Sequence, residues 1–159
     1  MRKISNPYDK IDNHYCFACS KHNPIGLKLE FVEDGDYVIS KWIPKKEYTG
    51  FHNVLHGGIQ AVLMDEVAAW CVQIKHKTSG LTSKLETHYK KPIFIDGGEL
   101  TIKSRIASVK RNLVTVIVEM FDNNGDLCSE SEVQYFTFTQ EVAKEKLFYP
   151  EYNSFFEAD

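Results

Sequence analysis

The segment Leu55-His56-Gly57-Gly58-Ile59-Gln60-Ala61-Val62-Leu63-Met64-Asp65-Glu66 carries the residues best suited to chemistry. Two adjacent glycines open an apolar stretch that reads as a helix. The first N–H groups of a helix have no intrahelical partner and attract developing negative charge. Two turns on stand two carboxylates, in a setting where a buried acid is costly unless it has a partner or a task. Backbone donors for an oxyanion, followed by a buried base, point to acyl transfer.

At 100° per residue, Asp65 shares a face with Ala61, Ala68, Ala69 and Val72. That face is small and apolar, so another element can approach it closely. Glu66 lies on the side of Val62, Trp70 and Gln73, which is larger and more polar. Asp65 is therefore the expected functional acid, and Glu66 is expected to be partly solvated. Eight residues of helix separate Gly57 from Asp65, about 12 Å of rise at about 1.5 Å per residue. Reacting groups must lie roughly 3 Å apart. If both groups serve one reaction, they come from different subunits, which predicts a site at a two-fold interface.

The elements that position this segment follow from periodicity. Residues 26–31 read as a strand with Leu27, Leu29 and Phe31 on one face. Glu33-Asp34-Gly35-Asp36 reads as a turn into a returning strand over 37–43. The helix is expected over about 56–75. Residues 81–89 alternate, with Leu81, Leu85 and Tyr89 on one side and Lys84, Glu86 and His88 on the other. Strands are further expected over 100–109, 113–121 and 127–138. The order β-β-α-β-β-β-β with hairpin-length connections implies an α+β fold, one helix covered by an antiparallel sheet. Residues 1–140 read as one domain with a cysteine-containing leader over 1–25. Residues 141–159 form a tail carrying Phe148, Tyr149, Tyr152, Phe155 and Phe156, aromatics dense enough to dock on the same chain or on a neighbouring one.

Composition bounds the function. A hydrophobic share of 43% and a charged share of 26% are ordinary for a globular chain and argue against disorder. A net charge of -3 supplies no global field toward nucleic acid. Polar residues interrupt the longest apolar region, so no membrane span is expected. Residues 1–10 lack the apolar core of a secretory signal, and a cytoplasmic location is the expectation.

The helix segment resembles the hotdog-fold thioesterases, specifically the phenylacetate-degradation (PaaI-like) group. The resemblance rests on His56-Gly57-Gly58-Ile59, Leu63-Met64-Asp65-Glu66, Thr82, and Tyr89-Lys90-Lys91-Pro92. Upstream it extends to Cys16-Phe17-Ala18-Cys19 and Asn23-Pro24-Ile25-Gly26-Leu27. It implies a long central helix wrapped by a curved antiparallel sheet, homodimers with a continuous double sheet, and homotetramers as dimers of dimers. It implies an acyl-CoA or related thioester substrate and no metal or organic cofactor. Carried over residue by residue, the Gly57 N–H polarises the thioester carbonyl and His56 shapes the loop. Asp65 of the partner chain acts as base or nucleophile, and Thr82 holds the water or the carboxylate. Many relatives carry Asn or Gln six positions before the histidine, where this chain has Gly50. Gly58 and Asn53 are expected beside the substrate, with Asn53 or His52 in place of the missing amide.

Lys90, Lys91, Arg105, Lys110 and Arg111 lie on or beside the later strands. Of these, Lys90, Lys110 and Arg111 are expected to meet CoA phosphates, although charges protecting a sheet edge explain the same residues. His14, Cys16, Cys19 and His22 form an H-x-C-x₂-C-x₂-H cluster with zinc-like spacing. The leader lacks the separated second ligand pair of most structural zinc sites. It reads instead as a compact cap of small residues. Cys71 and Cys128 read as core fillers. A non-catalytic acyl-CoA-binding protein is the rival reading. A hotdog dehydratase is a weaker one, since its His–acid motif is absent.

Overall fold

A computed structural model describes residues 1–157. Seven strands form one antiparallel sheet: β1 (Arg2–Ile4), β2 (Phe31–Asp34), β3 (Tyr37–Trp42), β4 (Gly80–Tyr89), β5 (Leu100–Lys110), β6 (Leu113–Phe121) and β7 (Leu127–Thr137). Their spatial order is β1-β2-β3-β5-β6-β7-β4. The strand that follows the central helix in sequence therefore lies at the far edge, beside β7. The central helix α1 (Gly57–Cys71) continues into a single π-helical stretch, Val72–His76. The curved sheet wraps it, in the expected hotdog architecture. No helix among the described residues is long and apolar enough to cross a membrane.

The helix sits in the core because its apolar residues lie all around it. Leu63, Met64, Val67, Ala68, Trp70 and Cys71 are buried. On the sheet side they meet Ile102, Val114, Val116, Val118 and Val133, which project inward at alternate positions. On the other side Trp70 stacks on Phe31, with ring centroids 4.4 Å apart, and meets Phe155 edge-on at 5.7 Å. That contact accounts for most of the tail: Tyr149, Tyr152, Phe155 and Phe156 dock on their own chain, whereas Phe148 is exposed. A short helix α2 (Gln140–Leu147) leads to Tyr149, whose hydroxyl donates to the Gln73 carbonyl at 3.0 Å. The Ser5 N–H donates to the Phe155 carbonyl at 2.8 Å, which ties the tail to the chain just beyond β1.

Two expectations need correction. Residues 26–30 are not a strand. Lys28 takes a left-handed φ of 56°, and the neighbouring N–H groups turn to the leader instead. Leu27 donates to the Phe17 carbonyl at 2.8 Å and Leu29 to that of Ala18 at 2.9 Å. Both leucines are nevertheless buried; a buried alternating pattern records burial, not a ladder partner. The second correction concerns β4, where Thr82 pairs with Tyr135 but Lys84 pairs with Gln134. The extra residue is a β-bulge and shifts the facing of everything before it. Leu81 is 56% exposed rather than grouped with Leu85, and Thr82 turns toward α1.

Candidate active site

At its N-terminus α1 is capped by a histidine. His56 is extended (φ -57°, ψ 131°) and its Nδ1 accepts the Gly58 N–H at 2.8 Å. This is the geometry in which Ser or Asp usually caps a helix. The cap uses the Gly58 donor. The Gly57 N–H has no hydrogen-bond partner among the described residues and remains available to an oxygen. Tyr89, at the end of β4, donates to the Gly57 carbonyl at 2.7 Å and fixes that peptide unit. A Cβ at position 57 would make ordinary contact with the Tyr89 ring, at 3.4 Å.

A 640 Å³ cavity opens over this turn. Its wall includes Phe51, Leu55, Gly57, Gln60, Tyr89 and Lys91. It is apolar with a basic rim, since Lys90 lines it as well. Lys90 is paired with Glu130 at 3.1 Å and Lys91 with Asp126 at 2.5 Å. Gly50 also belongs to the wall. A Cβ there would come within 3.1 Å of the His56 Cα, so a side chain at 50 requires the capping turn to give by a few tenths of an ångström.

Asp65 lies elsewhere on the helix and does not line this cavity. Its Oδ1 accepts from the Thr82 hydroxyl at 3.0 Å and from the Tyr135 hydroxyl at 2.6 Å. Tyr135 also reaches the Asp65 carbonyl oxygen at 2.6 Å. The second carboxylate oxygen, Oδ2, has no partner among the described residues. Burial, reinforced by the charge of Asp65, holds the Tyr135 phenol well above its ordinary pKa. Tyr135 thus stays protonated and remains a donor at neutral pH. Two hydroxyls orient one oxygen, and the other is left for water.

Within one chain the structure thus assembles two groups, His56–Gly57–Gly58 with Lys90, and Asp65 with Thr82. It does not bring them together. Asn53 stands apart from both: its φ is 56° and its amide donates to Asp96 Oδ1 at 2.9 Å, bracing the loop. Lys110 and Arg111 occupy the β5–β6 turn, on the rung that runs through Leu113 and Phe136 to Leu81. They lie toward the Thr82 end of the sheet, away from Gly57.

Sequence reading missed Tyr135 because it is one of several inward positions on β7, and only the packing of α1 on the sheet sets it against Asp65. Glu66 is partly exposed, as expected, but its neighbours were not foreseen. Its carboxyl is enclosed between the leader and Trp70, whose Nε1 donates to Oε1 at 3.0 Å. Burial, with the neighbouring Cys16 thiol adding to it, pushes its pKa up to about 8.

Comparisons with known proteins bear on the fold. Residues 52–129 match the thioesterase superfamily. The fold is similar to a crystallised thioesterase superfamily protein at 22% identity, over 76% of this chain and 62% of that one, with a TM-score of 0.69. It is also similar to a Streptococcus mutans protein solved with acetyl CoA bound (18% identity, 70% and 90% covered, TM-score 0.64). A third similar structure is the PaaI protein of the E. coli phenylacetic acid degradation operon (14% identity, 72% and 82% covered, TM-score 0.64). No curated protein matches the sequence. The fold is the hotdog fold, and the matched stretch, just under half of the chain, is similar to the thioesterase superfamily.

Proposed function

We propose that this protein hydrolyses an acyl-CoA thioester at a site built from two copies of the chain. The observation that carries the proposal is the Asp65 carboxylate. One oxygen is held by Tyr135 and Thr82, and the other is free to meet water.

The reaction needs two aids. The Gly57 N–H at the helix start stabilises the oxyanion that forms as the carbonyl is attacked; such a donor is worth about 2.7–4 kcal/mol. Asp65 takes the proton from the attacking water, worth roughly 10²–10⁴-fold. The tetrahedral intermediate then collapses, breaking the C–S bond and releasing CoA thiol and the free acid. Direct attack by Asp65, through a mixed anhydride that water opens, uses the same geometry. Isotope label from water appearing in Asp65 after a single turnover separates the two routes.

Several features support a second subunit. Gly57 and Asp65 lie too far apart along one helix to share a carbonyl. Ala61, Val62, Asp65 and Ala69 form a half-buried helix face. Strand β4 stands at a sheet edge, where its free N–H and C=O groups suit pairing with a second copy. Support for CoA comes from the basic rim of the cavity and from the acetyl CoA bound by the S. mutans protein.

The test is thiol release from a panel of acyl-CoAs, with light scattering for oligomeric state. Turnover by a dimer that is lost in Asp65→Asn supports the proposal. Tight acyl-CoA binding without turnover would favour a sensor instead.

A further inference from the structure

The opposite side of α1 carries chemistry that hydrolysis does not use. Cys16 and Cys19 of the leader and Glu66 of α1 place one ligand atom each, all within 4.8 Å of one another. A turn in the leader brings the two thiols to the same side. The Ser20 N–H donates to the Cys16 carbonyl at 3.1 Å, and the Ser20 hydroxyl donates to that of His14 at 2.9 Å. The Cys19 N–H points at Cys16 Sγ, 3.4 Å away, a contact that favours a thiolate. Cys16 Sγ lies 3.5 Å from Glu66 Oε1, and the Trp70 indole holds that oxygen from the other side. His14 lines the same 400 Å³ cavity as these three residues. Its Nε2 is buried without a hydrogen-bond partner, and it is the sole such side-chain atom among the described residues.

We propose that Cys16, Cys19 and Glu66 bind a thiophilic divalent cation, zinc by preference, with His14, which lines the same cavity but lies outside their 4.8 Å cluster, closing in as the fourth ligand. Two sulfurs, a carboxylate oxygen and an imidazole nitrogen make up a tetrahedral zinc set, whereas magnesium and calcium take oxygen alone. The C-x₂-C spacing gives one ligand pair, and α1 provides the separated element that the leader alone lacks. His22, the fourth member of the sequence cluster, is excluded. Its Nε2 lies 3.0 Å from the Asp9 carbonyl, at an exposed position. The Trp70 indole is the outer partner that orients the ligating carboxylate. Binding requires Cys16, Cys19 and Glu66 all in their ionised forms, so it releases whatever protons they carry to solvent and moves no electrons. The ion pins residues 14–19 to the central helix one residue from Asp65. This site is independent of the proposed hydrolysis.

The test uses the full chain purified under reductant without chelator. Elemental analysis is expected to find stoichiometric zinc. Cobalt titration of the metal-stripped protein is expected to give a thiolate-to-cobalt charge-transfer band with tetrahedral d–d bands. Cys16→Ser and Cys19→Ser should each weaken that band, and Trp70→Phe should lower affinity by about 10–100-fold. His22→Ala should match wild type. Alkylating the two thiols of the folded wild type should eject the metal, which checks the assignment without any variant having to fold. A wild-type chain that retains no zinc and gives no cobalt band overturns the proposal. So does metal binding that survives loss or alkylation of both thiols.

Discussion

Asp65 and Glu66 are adjacent in sequence, about 100° apart around the same helix, and the fold sets them in opposite surroundings. Asp65 faces the bulged edge strand, takes two hydroxyl hydrogen bonds on one oxygen and leaves the other open. Glu66 faces the leader, where an indole and two thiols enclose it and burial raises its pKa to about 8. One acid is arranged to act on something that arrives from outside. The other is arranged to hold the protein's own segments together. Acid type and helix position are nearly shared; which element covers each face makes the difference.

The largest expected effect is on the Asp65 side. Asp65→Asn keeps the Tyr135 and Thr82 contacts and removes the base. Turnover should fall by about 10²–10⁴-fold, while thermal unfolding and oligomeric state stay near wild type. Steady-state thiol release, read beside a melting curve, checks this. Unchanged turnover would break the distinction between the two acids.

Next is the other half of the site. Position 57 is the first residue of α1, where proline is well tolerated. The preceding His56 already has the extended backbone that proline favours. Gly57→Pro therefore deletes one N–H with little other change. A loss of about 2.7–4 kcal/mol in transition-state stabilisation is expected, read as kcat/KM.

How much of this was legible in the sequence follows from the kind of signal each part leaves. The helix and the four long strands after it left strong periods, and their limits came out within a few residues. His56, Gly57 and Asp65 stood out because glycine pairs and acids are rare in an apolar helix. Tyr135 left no such mark, since a tyrosine on an inward strand position is ordinary packing until the register is known. The bulge at Ser83 was equally silent, yet it turns Thr82 toward Asp65. Glu66 is partly exposed, as its helix face implied, but its neighbours were not legible, because helix geometry gives a direction and not what lies there, and residues 16–19 come from far off in the chain. The three-residue strand β1 is too short to leave a period.

Tyr135→Phe sharpens the comparison at intermediate size. It removes a hydrogen bond to a carboxylate, worth about 1.5–3 kcal/mol, and turnover should drop by roughly tenfold. It also carries a pH signature. The phenol's pKa is raised in the folded protein above its value of 10.0. Its contribution to stability is therefore complete below pH 10 and is lost as pH rises beyond that. Wild type should lose stability more steeply than Tyr135→Phe in alkaline melts.

The smallest effect on catalysis is expected from Glu66→Gln. Turnover should remain near wild type, because this residue faces away from the reacting groups. Limited proteolysis of the leader reads its structural role: cleavage within residues 10–25 should become faster. A turnover loss matching that of Asp65→Asn would erase the contrast between the two acids.

The central claim is that Gly57 and Asp65 of one active site belong to different subunits, and subunit mixing tests it most directly. Asp65→Asn and Gly57→Pro proteins are each inactive alone. If they are unfolded together and refolded as a mixture, a hybrid dimer contains one site with both the wild-type N–H and the wild-type carboxylate. Random pairing should restore about a quarter of wild-type activity. A mixture as inactive as its two parents, with hybrid dimers confirmed by mass, would contradict the account.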